Sequence, residues 1–230
     1  MKALCWKLSA ILILLGATVR ADDSKTVLSF GSGGFRLELS PPWARMPELV
    51  MTQVKMLVRQ KFIGTPLERF DFDTAVVRGT DFQSILSGEY LVVTASPEKP
   101  TPKMFAAAYP MAKRETEKAV QFAWDEIVSD FGWEQLTFNP ERGMLVWPGK
   151  AKNFDGSMLR VKFYAFPTKG NTMVLFAFGG SRQPEKVFAE IEAAFGESPI
   201  NEDMRMPAEF WAELEKELTA AQAGKKAETK

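Results

Sequence analysis

Side chains able to do chemistry are few in this chain, and their kinds are restricted. The sequence has no histidine and a single cysteine, Cys5. That removes Ser-His-Asp and Cys-His triads, zinc centres built on imidazole or thiolate, and intrachain disulfides. Asp71 and Asp73 alternate with Phe70 and Phe72, so in a strand the two carboxylates share one face about 7 Å apart. Such a pair suits a hard cation such as calcium, but calcium takes six or more oxygens and no Asp-x-Asp-x-Asp-Gly loop is present. A solvated strand face is the better account, and neither a metal nor any other cofactor is expected. Ser96-Pro97-Glu98-Lys99 spells the Ser-x-x-Lys motif of penicillin-binding enzymes. There the lysine stands one helical turn after the serine, and Pro97 and Pro100 place this stretch in a loop instead. Gly31-Ser32-Gly33-Gly34 precedes a strand rather than opening a helix, which suits a turn and not a phosphate cradle.

Two kinds of side chain keep a functional reading open. Glu89, Glu134, Asp155 and Asp71 are available for acid–base work, which a pair of carboxylates does when burial separates their pKa values. A hydrolase of an envelope polymer would need such a pair, yet no spacing singles one out. Trp43, Trp133 and Trp147 sit beside proline or glycine at the ends of expected elements, where an indole ring can line a cleft. Trp124 instead lies on the apolar stripe of an expected helix. Trp211 belongs to a stripe with Phe210, Leu214 and Leu218 that docks on the parent domain or on a partner. Trp43, Trp133, Trp147 and Trp211 are therefore the candidate ligand- or partner-binding residues, and no catalytic residue is assigned.

The elements that must position these residues follow from periodicity. Val27 to Leu39 contains two short strands broken by the glycines, with Phe35, Leu37 and Leu39 on one face. Glu48 to Phe62 reads as a helix, started by Pro47 and stopped by Gly64 and Pro66. Leu67 to Arg78 and Glu89 to Ser96 read as strands, the second apolar on both faces and so central. Pro97 to Pro102 is an external connection. Met111 to Phe131 reads as a long helix ended by Gly132. Leu136 to Phe138, Met144 to Trp147, Met158 to Phe166 and Thr172 to Phe178 form a run of strands, the last two joined by a hairpin around Lys169-Gly170-Asn171. On the strand from Met158, the residues Leu159, Val161, Phe163 and Ala165 are expected on the core face. Pro184 to Phe195 is a helix with Gly196 as its left-handed cap. Pro207 to about Ala221 is a last helix, followed by a frayed charged tail from Gly224.

Residues 1 to 21 read as a secretory signal peptide, with Lys2 and Lys7 before the apolar run Leu8 to Ala17 and a small-x-small site at Val19-Arg20-Ala21. The apolar run is too short to span a bilayer. Cleavage after Ala21 removes Lys2, Lys7 and Arg20, leaving 26 basic against 29 acidic groups, a net charge of −3, and no cysteine. A slightly acidic chain lacks the electrostatic footprint of a nucleic-acid binder. The organisation expected is a signal peptide at 1–21, one α+β domain at 22–200, and a C-terminal helix and charged tail at 201–230.

The order strand, Pro-Pro-Trp, helix, hairpin, long helix, strand meander and helix resembles the PsbP-like superfamily. Phe35-Arg36-Leu37-Glu38-Leu39-Ser40-Pro41-Pro42-Trp43 carries the resemblance at the start. Met158 to Gly180, the helix through Phe195 and then Ser198-Pro199 carry it at the end. It covers roughly residues 30 to 200 and leaves out the helix around Trp211. The resemblance implies an antiparallel β-sheet flanked by helices, an α/β/α sandwich. It brings no catalytic residues, since the superfamily shares none, and its members mostly bind other proteins. Metal sites in plant members use histidine in part, which this chain lacks. The expectation is an exported, periplasmic or secreted, non-catalytic domain without a membrane span that binds an envelope or extracytoplasmic protein. A carboxylate-dependent hydrolase and a small-molecule carrier are the alternatives.

Overall fold

Alternation of apolar and polar side chains builds the first layer. Strand β2 (Phe35–Leu39) buries Phe35, Leu37 and Leu39 and turns Arg36 and Glu38 outward. It pairs antiparallel with β1 (Thr26–Phe30), Thr26 opposite Leu39 and Phe30 opposite Phe35. The computed structural model describes residues 24–30, 34–48, 51–52, 55–56, 74–79, 89–96, 98–107, 128–153, 158–180 and 182–228. Within them a second, eight-stranded sheet is made of β3 (Trp43–Arg45), β4 (Thr74–Arg78), β5 (Glu89–Ser96), β6 (Val128–Trp133), β7 (Thr137–Asn139), β8 (Met144–Asn153), β9 (Met158–Pro167) and β10 (Thr172–Gly179). Its order is β3-β4-β5-β10-β9-β8-β6, with β7 also on β8, and every pairing is antiparallel. The two-sided apolar strand β5 lies inside the sheet, next to β10, as its composition requires.

Both faces of this sheet carry a core. On one, Val76, Leu91, Val93, Tyr164, Phe166, Met173 and Leu175 pack with Val187, Phe188 and Ile191 of helix α1 (Pro184–Ala194) and with Leu28, Leu37 and Leu39 of the hairpin. On the other, Leu145 and Ala165 pack with Phe210, Trp211, Leu214 and Leu218 of helix α2 (Ala208–Glu228) and with Ala106. Helix α1 begins at Pro184 and is followed by Gly196 at φ +55°, the left-handed position expected for it. It lies close on β10 because residue 179 is glycine: a Cβ there would stand 2.8 Å from Phe188 Cζ and from Pro184 Cβ. The C-terminal stripe docks on its own sheet. The result is an α+β fold with an antiparallel sheet between helices.

Four expectations change. The helix read from Met111 to Phe131 does not include its last residues: Val128–Trp133 is β6, an edge strand on β8 with a register shift between Ser129 and Gly132. Val128 and Phe131 continue the clear apolar stripe read through Val120, Ala123, Trp124 and Ile127, but at this end an available ladder on β8 outweighs helical periodicity. The rest of that helix, residues 111–127, lies outside the described residues. The face read as the core side of β9 is only one of two. Tyr164 and Phe166, on the other, are fully buried against α1, because helices cover the sheet twice. Helix α2 continues through Gly224 to Glu228; the alanines, glutamine and lysines around it favour helix enough to absorb one glycine. Finally, the proline-rich connection ends in a helical turn at 102–107. Thr101 caps it, its Oγ1 accepting from Met104 N–H at 3.2 Å. Of the helix expected over 48–62, residues 48, 51, 52, 55 and 56 are helical, and the remainder lies outside the described residues, as does the strand expected over 67–73.

Candidate functional site

Trp43 opens β3 and stands opposite Arg78, the last residue of β4, while Glu89 opens β5. Three strands thus bring an indole, a guanidinium and a carboxylate to one end of the sheet. Helix α1 adds a fourth group from above. Glu190 accepts hydrogen bonds from Arg78 Nε at 2.7 Å, Arg78 Nη2 at 2.9 Å and Trp43 Nε1 at 3.1 Å. Arg78 Nη1 donates to Glu89 Oε2 at 3.1 Å. Partial burial works to raise the Glu190 carboxyl, but the bonds and charge of Arg78, with the Trp43 N–H, outweigh it and hold it below the ordinary range. The Glu190 bonds hold Arg78 above its ordinary value in turn.

Two members of this cluster, Trp43 and Glu190, form part of the wall of a cleft of 720 Å³, with Arg78 and Glu89 behind them. The hairpin contributes Lys25, Arg36 and Glu38, the turn after it Ser40 and Pro41, the C-terminal end of α1 Ala193 to Phe195, and the chain beyond Ser198 to Asn201. On the rim Glu38 accepts from Arg36 Nη2 at 2.6 Å and from Lys25 Nζ at 3.4 Å. The Arg36 bond, then Lys25, hold the Glu38 carboxyl below its ordinary value. The segment 199–201 is fastened to the hairpin by Arg36 N–H to the Pro199 carbonyl at 2.8 Å and Asn201 N–H to the Gly34 carbonyl at 3.0 Å. The Ser-Pro step singled out in the sequence thus lines the cleft.

On the far side of α1, Glu192 accepts from Lys162 Nζ and Tyr164 Oη, both at 2.7 Å. The Lys162 ammonium stands 4.8 Å from the centre of the Phe188 ring. Burial, followed by the charge of Glu192, pushes the Tyr164 phenol up. Helix α1 is therefore held to the sheet by carboxylates on both flanks.

Of the four candidate tryptophans, the structure brings one to the cleft. Trp43 is 3% exposed and spends its N–H on Glu190. Trp147 is on β8, buried, with its ring edge-on to Phe163 at 6.2 Å. Trp133 is at the end of β6, opposite Gly149. Trp211 is buried in α2 against Phe210, ring centres 5.4 Å apart. Among the candidate carboxylates, Glu89 is paired with Arg78 and Glu134 with Arg160 at 2.8 Å. They are not brought together: Glu134 adjoins β8 through Pro148, and β10 and β9 separate β8 from β5, about 14 Å at the ordinary strand spacing. Asp71, Asp73 and Asp155 lie outside the described residues, as do Gly31 to Gly33. Ser96 Oγ accepts from Glu98 N–H at 3.4 Å in the loop after β5. Sequence reasoning missed Arg78 and Glu190. The available signal was a carboxylate at 190 bordering the apolar stripe Val187, Ile191 and Ala194.

No family model and no curated protein matches the sequence. Among solved structures, cyanobacterial PsbP (CyanoP) from Synechocystis sp. PCC 6803 aligns with a TM-score of 0.50 at 11% identity, over 79% of this chain and 95% of that one. LpqN, involved in cell envelope biogenesis of Mycobacterium tuberculosis, aligns with a TM-score of 0.31 at 14% identity, over 74% of this chain and 85% of its own. The likeness to CyanoP is one of architecture: the chain has a PsbP-like fold. Among the described residues no helix is long and apolar enough to cross a membrane.

Proposed function

We propose that the chain is an exported, non-catalytic domain, matured by cleavage after Ala21, that binds an envelope or extracytoplasmic protein through the cleft between the hairpin and the end of α1. The domain spans residues 22–200, with the C-terminal segment 201–230 packed on it through helix α2. The observation that carries the reading is the state of the charged groups in the cleft. Glu38 is committed to Arg36 and Lys25, and Glu190 to Arg78 and Trp43. Both carboxyls are pushed down, whereas acid–base work on a pair needs them pushed apart. Paired charges around a hollow suit recognition.

The test uses residues 22–230 as bait in a chemically crosslinked envelope extract, beside Ala193→Arg. Ala193 is an exposed residue of the lining, so the arginine obstructs the cleft without deleting any member of an ion pair. One protein captured in stoichiometric amount, and reduced at least tenfold by Ala193→Arg, is the expected result. Recovery equal to background, or equal for both baits, overturns the reading. Mass spectrometry of the exported form is expected to show a chain starting at Asp22. A small-molecule carrier is the second reading, favoured by Trp43 in the wall; quenching of its emission by a candidate ligand, absent in Trp43→Phe, would support it.

A further inference from the structure

We propose that the cleft takes its partner as an extended peptide segment added as a strand to the open edge of β2; this rests on the reading of the chain as a protein-binding domain. Arg36 turns its N–H away from β1, to the Pro199 carbonyl, and Asn201 N–H returns to the Gly34 carbonyl. Phe35 and Ile200 form an antiparallel bridge between those two bonds. A third strand therefore exists beside β2, but it is one step long. The next rung would need an N–H at residue 199 for the Arg36 carbonyl, and residue 199 is proline, which has none. Towards its N-terminal side the chain departs into Ser198, whose hydroxyl accepts from Ile200 N–H at 3.2 Å, and into the end of α1.

Strand alternation sends the Glu38 N–H and carbonyl to the same outward edge as Arg36, and they have no main-chain partner among the described residues. Arg36, Glu38 and Ser40 all line the cleft. An unpaired strand edge is a template for another strand. The outer edge of β1 is already covered: Arg45 Nη2 donates to the Val27 carbonyl at 2.7 Å, and Thr26 Oγ1 donates to the Trp43 carbonyl at 2.8 Å. The open stretch of β2 is continuous with a pairing the chain makes with itself. It faces a hollow of 720 Å³, within the range of roughly 300–1,000 Å³ typical of ligand sites.

The two faces of an added strand meet different chemistry. Its inward side chains would meet Ala193 and Ala194, with Phe195 buried beneath them and Glu190 already paired to Arg78, which favours small apolar residues. Its outward side chains would meet the hairpin rim, where Lys25 and Arg36 surround one carboxylate, Glu38. The rim thus has one positive charge in excess and favours an acidic residue. The segment recognised is an extended one alternating small apolar and acidic side chains, antiparallel to β2.

The experiment is an NMR titration of ¹⁵N-labelled residues 22–230 with acetyl-Val-Glu-Val-Glu-Val-amide, followed at the Arg36, Leu39 and Ser40 amides. Dose-dependent shifts with millimolar or tighter affinity are expected. Affinity should fall at least tenfold for the peptide with N-methylated backbone amides, and for Glu38→Pro, which deletes the edge N–H. Glu38→Gln keeps that N–H and removes the one rim carboxylate, so it is expected to bind the acidic peptide more tightly than the parent, opposite in sign to Glu38→Pro. No shift at millimolar peptide, equal binding of the N-methylated copy, or a free protein whose Glu38 amide resists exchange as strongly as that of Arg36 would each overturn the proposal. Because the N-methylated probe is used on the unaltered protein, the result does not depend on the proline variant folding. If Glu38→Pro still captures the envelope protein that Ala193→Arg loses, strand addition fails while the protein-binding reading stands.

Discussion

Glu190 is where three elements meet: it joins α1 to the end of β4 through Arg78 and to the start of β3 through Trp43. Glu190→Gln removes the charge and keeps the shape, and is expected to cost about 1–2 kcal/mol at neutral pH, as charge-assisted bonds do; urea denaturation would measure it. The folded pKa of Glu190 lies below its unfolded value of about 4.3. Its contribution is therefore complete above that pH and disappears as pH falls through the depressed folded value. The gap between parent and variant should stay constant from about pH 8 to 5 and close below. Thr172 gives the opposite sign. It is buried at 3% exposure, and its hydroxyl has no hydrogen-bond partner among the described residues. Thr172→Val deletes the orphan hydroxyl at equal volume and is expected to stabilise by about 1 kcal/mol, raising Tm by roughly 2–4 °C. At this scale the sequence is legible for Trp43 and silent on its partners. An indole beside two prolines can be read from composition, but a carboxylate 147 residues away meets it only in the fold.

Elements with one decisive signal are legible in the amino-acid pattern itself. Strands β5 and β10 and helix α1, with its proline start and glycine stop, fall within a residue or so of their expected spans. Where two periods fit, the tertiary partner decides. Val128–Trp133 joins β8 as a strand, and the two faces of β9 become distinguishable only once helices lie on both. The seat of α1 on β10 offers a prediction at this scale. Gly179→Ala places a methyl group 2.8 Å from Phe188 Cζ and Pro184 Cβ, and 3.0 Å from the Pro184 backbone, so the helix must lift. A loss of about 1–3 kcal/mol is expected, with a change in Trp43 emission, because lifting α1 draws Glu190 away from the indole.

Across the whole molecule, α1 and α2 close opposite faces of one sheet, and the segment between them ties both ends of the core together. Thr168 bridges Arg205, and Lys169 N–H donates to the Met204 carbonyl at 3.0 Å. Removing residues 207–230 should uncover Leu145 and Ala165. Increased binding of a hydrophobic dye and a loss of more than about 3 kcal/mol are expected, the scale of deleting one buried tryptophan; an unchanged midpoint would show α2 to be dispensable.

The pairing of β5 with β10 has a further consequence in time. Glu89–Ser96 meets Thr172–Gly179, partners about eighty residues apart, and among the described residues β3, β4 and β5 join the rest of the sheet through that junction. Until the ribosome has delivered residue 179, the early strands have no centre to join, and long-range ladders of this kind close slowly. The sheet is thus completed late in synthesis, and a nascent chain stopped short of residue 172 should stay open to protease at β3, β4 and β5.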